Sequence, residues 1–185
     1  IIFLSCDSSG VLPAISRLDE NQAMYYFISG YTSKIPGTEV GIRKPISTFS
    51  ACFGEAFLVY HPKVYAELLK EKINKHNAKV WLINTGWVKG EYSSENGVRC
   101  PLKYTRQIVN MIHSGVLNNC QSKKMPVFEF EYFPEIEGIP NDILDPLESW
   151  SDKKEYLESL LNLSDKFKSN FIKYEEPELE KFGPK

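Results

Sequence analysis

Val80-Trp81-Leu82-Ile83, running into Asn84-Thr85-Gly86-Trp87, decides the fold. The apolar run reads as a buried strand, and the Asn-Thr-Gly step ends it in a turn. The chain then crosses a polar loop and returns as Arg99-Cys100-Pro101-Leu102-Lys103-Tyr104-Thr105-Arg106 at a helix start. A strand ending in a glycine turn, with fixed cations and a hydroxyl near a helix N-terminus, suits an anionic ligand with a flat polar head.

Outward from this stretch the apolar spacing sets the class. Helical period places Ile108, Val109 and Ile112 on the inner face of a helix from near Thr105 to Gly115. Before the strand, Pro62 opens another helix as a first-turn residue. Val64, Leu68, Leu69 and Ile73 are its apolar side, and Lys70, Glu71 and Lys75 its wet side. Phe49 to Gly54 and Ala56 to Tyr60 read as core. Apolar segment, helix and strand in succession make an α/β layer.

The flanks extend the pattern. Ile1-Ile2-Phe3-Leu4 reads as an interior strand buried on both faces, and its position at the first residue suggests a fragment. Asp7-Ser8-Ser9-Gly10 is a turn, and Asp19 with Gln22 forms a capping box for a short helix that carries Met24, Phe27 and Ile28 and stops at Gly30. Gly30 to Thr48, polar and rich in glycine and proline, reads as a long loop of the kind used as a lid. Phe128, Phe130 and Tyr132 alternate with Glu129 and Glu131 as a half-wet strand. After a connection through Pro134, Pro140 and Pro146, an amphipathic helix from about Asp152 to Tyr174 turns Leu157, Leu160, Leu161, Phe167 and Phe171 inward.

At 185 residues with 42% hydrophobic side chains, the chain has enough apolar surface for one core. A net charge of −2 gives no general attraction to nucleic acid or anionic membranes. No apolar run reaches the roughly 20 residues of a membrane span. Cys6, Cys52, Cys100 and Cys120 form no C-x-x-C pair, which favours reduced thiols and a cytoplasmic setting over disulfides or zinc. His61, His76 and His113 have no carboxylate or thiol at metal spacing. Gly97 to Lys103 is no phosphate-binding loop, because Leu102 stands where a glycine must precede the lysine.

Arg99, Thr105 and Arg106 are the candidates that remain. Only four of the 22 basic residues are arginine, and two of those four fall in this stretch. A guanidinium can fork onto phosphate or ribose oxygens or stack on a base, whereas Thr105 can equally cap its helix and Arg99 can be a surface charge.

Six ordered blocks now resemble the C-terminal part of the ATP-dependent phosphoenolpyruvate carboxykinases. They are Ile2 to Asp7 with Gly10 to Pro13, Phe27 to Thr32 with Gly37 to Glu39, Thr48 to Gly54, Asn84 to Trp87, Arg99 with Leu102 to Arg106, and Leu144 to Pro146. The resemblance implies the C-terminal portion of a mixed-sheet α/β nucleotide-binding domain over residues 1–185, with a mobile lid at about residues 30–48. It implies the gluconeogenic lyase reaction in which oxaloacetate is decarboxylated and phosphorylated by ATP, with divalent metal (Mg²⁺ or Mn²⁺). Arg99, Cys100 and Thr105 then take the positions that contact ATP on its nucleoside side. The family's phosphate loop, metal ligands and oxaloacetate-binding arginines lie before the matching start, so the piece is expected to be inactive without its upstream part. The alternative is a non-catalytic nucleotide-binding or protein-interaction module of the same fold. The sequence departs from the family at Ser8-Ser9, at Ala14, in a longer 88–98 loop, and at Cys100, whose thiol is either a small filler or a group activated by Arg99.

Overall fold

The structure, a computed structural model, describes residues 1–185. The chain is α/β, built on a mixed five-stranded sheet. In chain order the first elements are β1 (Ile2–Ser5), β2 (Ile15–Leu18), α1 (Glu20–Ser29), β3 (Tyr31–Lys34), β4 (Ile46–Phe49), α2 (Pro62–His76) and β5 (Val80–Asn84). They are followed by β6 (Trp87–Val88), β7 (Val98–Arg99), α3 (Leu102–Ser114), β8 (Lys123–Lys124) and β9 (Glu131–Tyr132). Short helices α4 (Asn141–Leu144) and α5 (Pro146–Ser149) lead to α6 (Lys153–Phe171) and α7 (Pro177–Glu180).

The sheet order is β1-β5-β2-β9-β8. β5 is buried at every residue because it lies between β1, parallel to it, and β2, antiparallel. One apolar cluster joins Phe3 and Leu82 to α1 and α6; the other joins Ile15, Trp81 and Ile83 to α3 and the Phe133–Leu144 segment. At β2 and β9, Arg17 forks onto Glu131, its Nε donating at 2.7 Å and its Nη2 at 2.6 Å, which pins the register. This pair holds the Glu131 carboxyl below its ordinary value.

Several local expectations hold. The Asp19–Gln22 capping box is present, Gly30 and Gly115 end their helices in the left-handed conformation, and Pro62 is a first-turn residue of α2. Others are corrected. Within residues 1–185, β1 lies at the sheet edge, with Phe3 inward and Leu4 59% exposed on the opposite face. Ile15–Leu18, unread in the sequence, is a strand because its main chain completes the far side of β5.

The 30–48 segment is not loop throughout: β3 and β4 pair as an antiparallel ribbon, leaving residues 35–45 as the connection. Its strands are short and polar, so no apolar run announced them. Ala56 to Tyr60 is surface, not core, with Phe57 88% and Val59 83% exposed. Left-handed Cys52 and Phe53 steer the chain into two 3₁₀ turns that carry these side chains outward.

Two helices are rotated from the expected facing. On α2 the buried residues are Ala66 and Ile73, with Leu69 partly buried, whereas Val64 and Leu68 are exposed and Lys70 donates to Asn21. On α6 they include Tyr156, Leu160, Leu163, Phe167 and Phe171, and Leu157 and Leu161 face out. The alternation at 128–132 is real, with Phe128, Phe130 and Tyr132 buried, yet only Glu131–Tyr132 is strand. Val127 and Glu129 are left-handed and form a tight turn between β8 and β9.

Candidate functional site

Two parallel neighbours, β1 and β5, end side by side, and both C-terminal ends release into polar turns. In open α/β sheets the crevice beyond such ends is where ligands bind. The turn after β5 is locked onto the end of β1. Asn84, fully buried, accepts from the Asp7 N–H at 3.0 Å and the Gly86 N–H at 2.8 Å, and donates to the Leu12 carbonyl at 3.0 Å. Thr85 donates its hydroxyl to the Ser5 carbonyl at 2.9 Å, and the Trp87 N–H donates to the Asp7 carbonyl at 2.7 Å. Gly86 is required by proximity, since a Cβ there would stand 2.2 Å from the Asp7 oxygen and 2.3 Å from its nitrogen.

That turn carries the β6–β7 hairpin, in which Trp87 pairs with Arg99. The Arg99 Nε donates to the Thr85 carbonyl at 3.3 Å and its guanidinium carbon lies 5.7 Å from the centre of the Trp87 ring. Arg99 is exposed and has no carboxylate partner, so its Nη groups face outward unpaired. Its charge reaches Cys6 at the end of β1, where it opposes the upward push that burial gives that thiol.

Cys100 and Thr105 lie together, Sγ to Oγ1 at 3.9 Å, and the Cys100 N–H donates to the Gly86 carbonyl at 2.7 Å. Burial pushes the Cys100 thiol above its ordinary value, partly opposed by Thr105. Cys100 is therefore the small buried filler and not an activated thiolate. Thr105 is no helix cap: α3 starts at Leu102 with Pro101 as its N-cap, which places Thr105 in the fourth helical position, half-buried and turned to Cys100. Arg106, one residue on, is about 100° further round the helix and exposed.

The residues missed by sequence reasoning are Asp7 and Asn84, both fully buried polar side chains that build the floor. For Asn84 the available signal was a polar residue directly after an apolar run; Asp7 stands three residues beyond its run, at the start of a turn. No group of three or more His, Cys, Asp or Glu side chains that could hold a metal ion is formed within these residues. No helix is long and apolar enough to cross a membrane.

A family model described as phosphoenolpyruvate carboxykinase matches residues 1–142, which takes in the whole β1–β5 floor and the Arg99 hairpin. The chain belongs to the phosphoenolpyruvate carboxykinase family. Curated relatives agree. Phosphoenolpyruvate carboxykinase (ATP) of Dictyostelium discoideum is 48% identical over 187 residues, covering 100% of this chain and 33% of the relative. Its namesake from Campylobacter lari is 50% identical over 176 residues, 95% of this chain and 33% of the relative. Phosphoenolpyruvate carboxykinase (ATP) 1 of Arabidopsis thaliana is 52% identical over 171 residues, 92% of this chain and 25% of the relative. The chain thus spans about a third or less of the carboxykinases it matches.

Proposed function

We propose that residues 1–185 are the C-terminal part of the ATP-binding domain of an ATP-dependent phosphoenolpyruvate carboxykinase, and that they hold the nucleoside end of ATP and carry the lid. The observation behind this reading is Arg99, set over the joined ends of β1 and β5 with its Nη groups free. The planar guanidinium forks onto ribose oxygens or stacks on the base, the Thr105 hydroxyl offers a second polar contact, and the Cys100 side chain lies against Thr105. Residues 35–45 between β3 and β4 are the lid, and its closure keeps water from the enolate.

The whole reaction converts oxaloacetate and ATP to phosphoenolpyruvate, ADP and CO₂, in gluconeogenesis, in the cytoplasm. ATP and divalent metal are its cofactors, and the metal, the phosphates and oxaloacetate are assigned to the upstream part of the longer protein. Assays of ATP-dependent phosphoenolpyruvate formation test the division of labour. The full-length protein should be active and the 185-residue chain should give no product above the blank. Turnover by the 185 residues alone, or none by the full-length protein, would overturn the proposal.

A further inference from the structure

The Asp7 carboxylate is fully buried and meets five donors. Oδ1 accepts from the Ser9 N–H at 2.9 Å, the Ser9 hydroxyl at 2.6 Å and the Tyr31 hydroxyl at 2.8 Å. Oδ2 accepts from the Val11 N–H at 2.9 Å and the Leu12 N–H at 3.0 Å. Its main chain does different work, fastening Asn84 and Trp87 and thereby the turn under Arg99. One residue thus grips the first residue of the β3–β4 ribbon with its side chain and the nucleoside floor with its backbone. Ser8 repeats the arrangement next door: its hydroxyl accepts from Ser33 Oγ at 3.0 Å, and its carbonyl accepts from Tyr92 N–H, in the loop between β6 and β7, at 3.0 Å.

The link is suited to transmitting position. Burial, together with the Asp7 charge, holds the Tyr31 hydroxyl well above its ordinary range, so its proton stays in the bond to Asp7. A hydrogen bond to a buried charge is directional and costly to break, so displacement at one end is carried to the other. The Tyr31 ring is separately held, 5.3 Å from Phe49 and 5.0 Å from Phe167, so the hydroxyl can be removed without unseating the ring.

We propose that Asp7 is a positioning residue that couples the base of the lid ribbon to the nucleoside floor, so that a nucleotide at Arg99 also sets the position of residues 35–45. This rests on the nucleoside reading above. The test uses the full-length protein with Tyr31→Phe, trypsin cleavage after exposed Arg43 as the lid readout, and ATP as the probe. In the parent, saturating ATP should slow cleavage. In Tyr31→Phe the protection ratio should fall by about fivefold, the low end of ordinary coupling between sites, with KM for ATP raised and kcat nearly kept. Phe49→Leu, which loosens ribbon packing without touching Asp7, should raise cleavage with and without ATP alike and leave the ratio unchanged. Undiminished protection in Tyr31→Phe, or no ATP protection in the parent, would overturn the coupling. If Arg99→Ala leaves KM for ATP unchanged, the nucleoside reading itself falls; if it raises KM while Tyr31→Phe keeps its protection, only the coupling falls.

Discussion

Replacing Arg99 by alanine in the full-length protein should raise KM for ATP by roughly 10-fold to 100-fold, the worth of one or two charge-assisted hydrogen bonds, while KM for oxaloacetate moves little. Two features set that size. The guanidinium is oriented by the Thr85 carbonyl and the Trp87 ring, so little ordering is left for the ligand to impose. It also has no acidic partner that would be left behind, so the loss reports on the ligand and not on a broken ion pair. Arg99→Lys should recover only part of the affinity, because an ammonium keeps the charge but not the planar fork. Steady-state kinetics with each substrate varied in turn checks the split, and an unchanged KM for ATP would count against the site.

The second large effect concerns the core that holds the lid ribbon. Phe167 of α6 is fully buried, with ring centres of Tyr31, Phe49 and Phe128 at 5.0, 5.1 and 5.2 Å and that of Tyr26 at 5.6 Å. It therefore joins α6 to α1, to both strands of the ribbon and to the turn before β9. Phe167→Ala should cost roughly 3–5 kcal/mol, because the rings around it are held by other contacts and cannot collapse into the hole. Amide exchange of α6 and of β3 in the full-length protein should then quicken on the order of a hundredfold or more, if those elements open together. Phe167→Leu, which keeps most of the volume, should cost about 1.5 kcal/mol or less. Equal exchange in the alanine variant and the parent would mean that Phe167 does not bind these elements into one unit.

Much of the fold was legible where side chains act locally. The Asp19–Gln22 box, the Gly30 and Gly115 stops and the continuous apolar β5 each depend on residues within a few positions of one another, and each stands as read. Legibility failed where a distant partner decides. Ile15–Leu18 becomes strand because β5 and β9 flank it, and Tyr31–Lys34 because Ile46–Phe49 lies opposite. The facing of α2 and α6 is set by what packs on them, which helical spacing alone cannot choose between adjacent apolar stripes. On α6 that choice separates inward Leu160 from outward Leu161.

The candidate site divides in the same way. Arg99 stood out by composition and by its place at an element boundary, and the structure sets it over the ends of two parallel strands. Thr105 was read as a possible cap and is instead inside α3, since Pro101 starts the helix earlier. Asp7 and Asn84 escaped notice because the bonds that tie them into the fold are long-range: the Tyr31 hydroxyl donates to Asp7, the Asp7 N–H donates to Asn84, and Asn84 donates to the Leu12 carbonyl.

A crystal structure of the full-length protein with ATP or a slowly hydrolysed analogue tests the central claim most directly. The adenosine should lie over the C-terminal ends of β1 and β5, with the Arg99 Nη groups and the Thr105 hydroxyl within about 3 Å of its polar atoms. Adenosine bound elsewhere, with Arg99 still resting on Thr85 and Trp87 and turned away from it, would contradict the account.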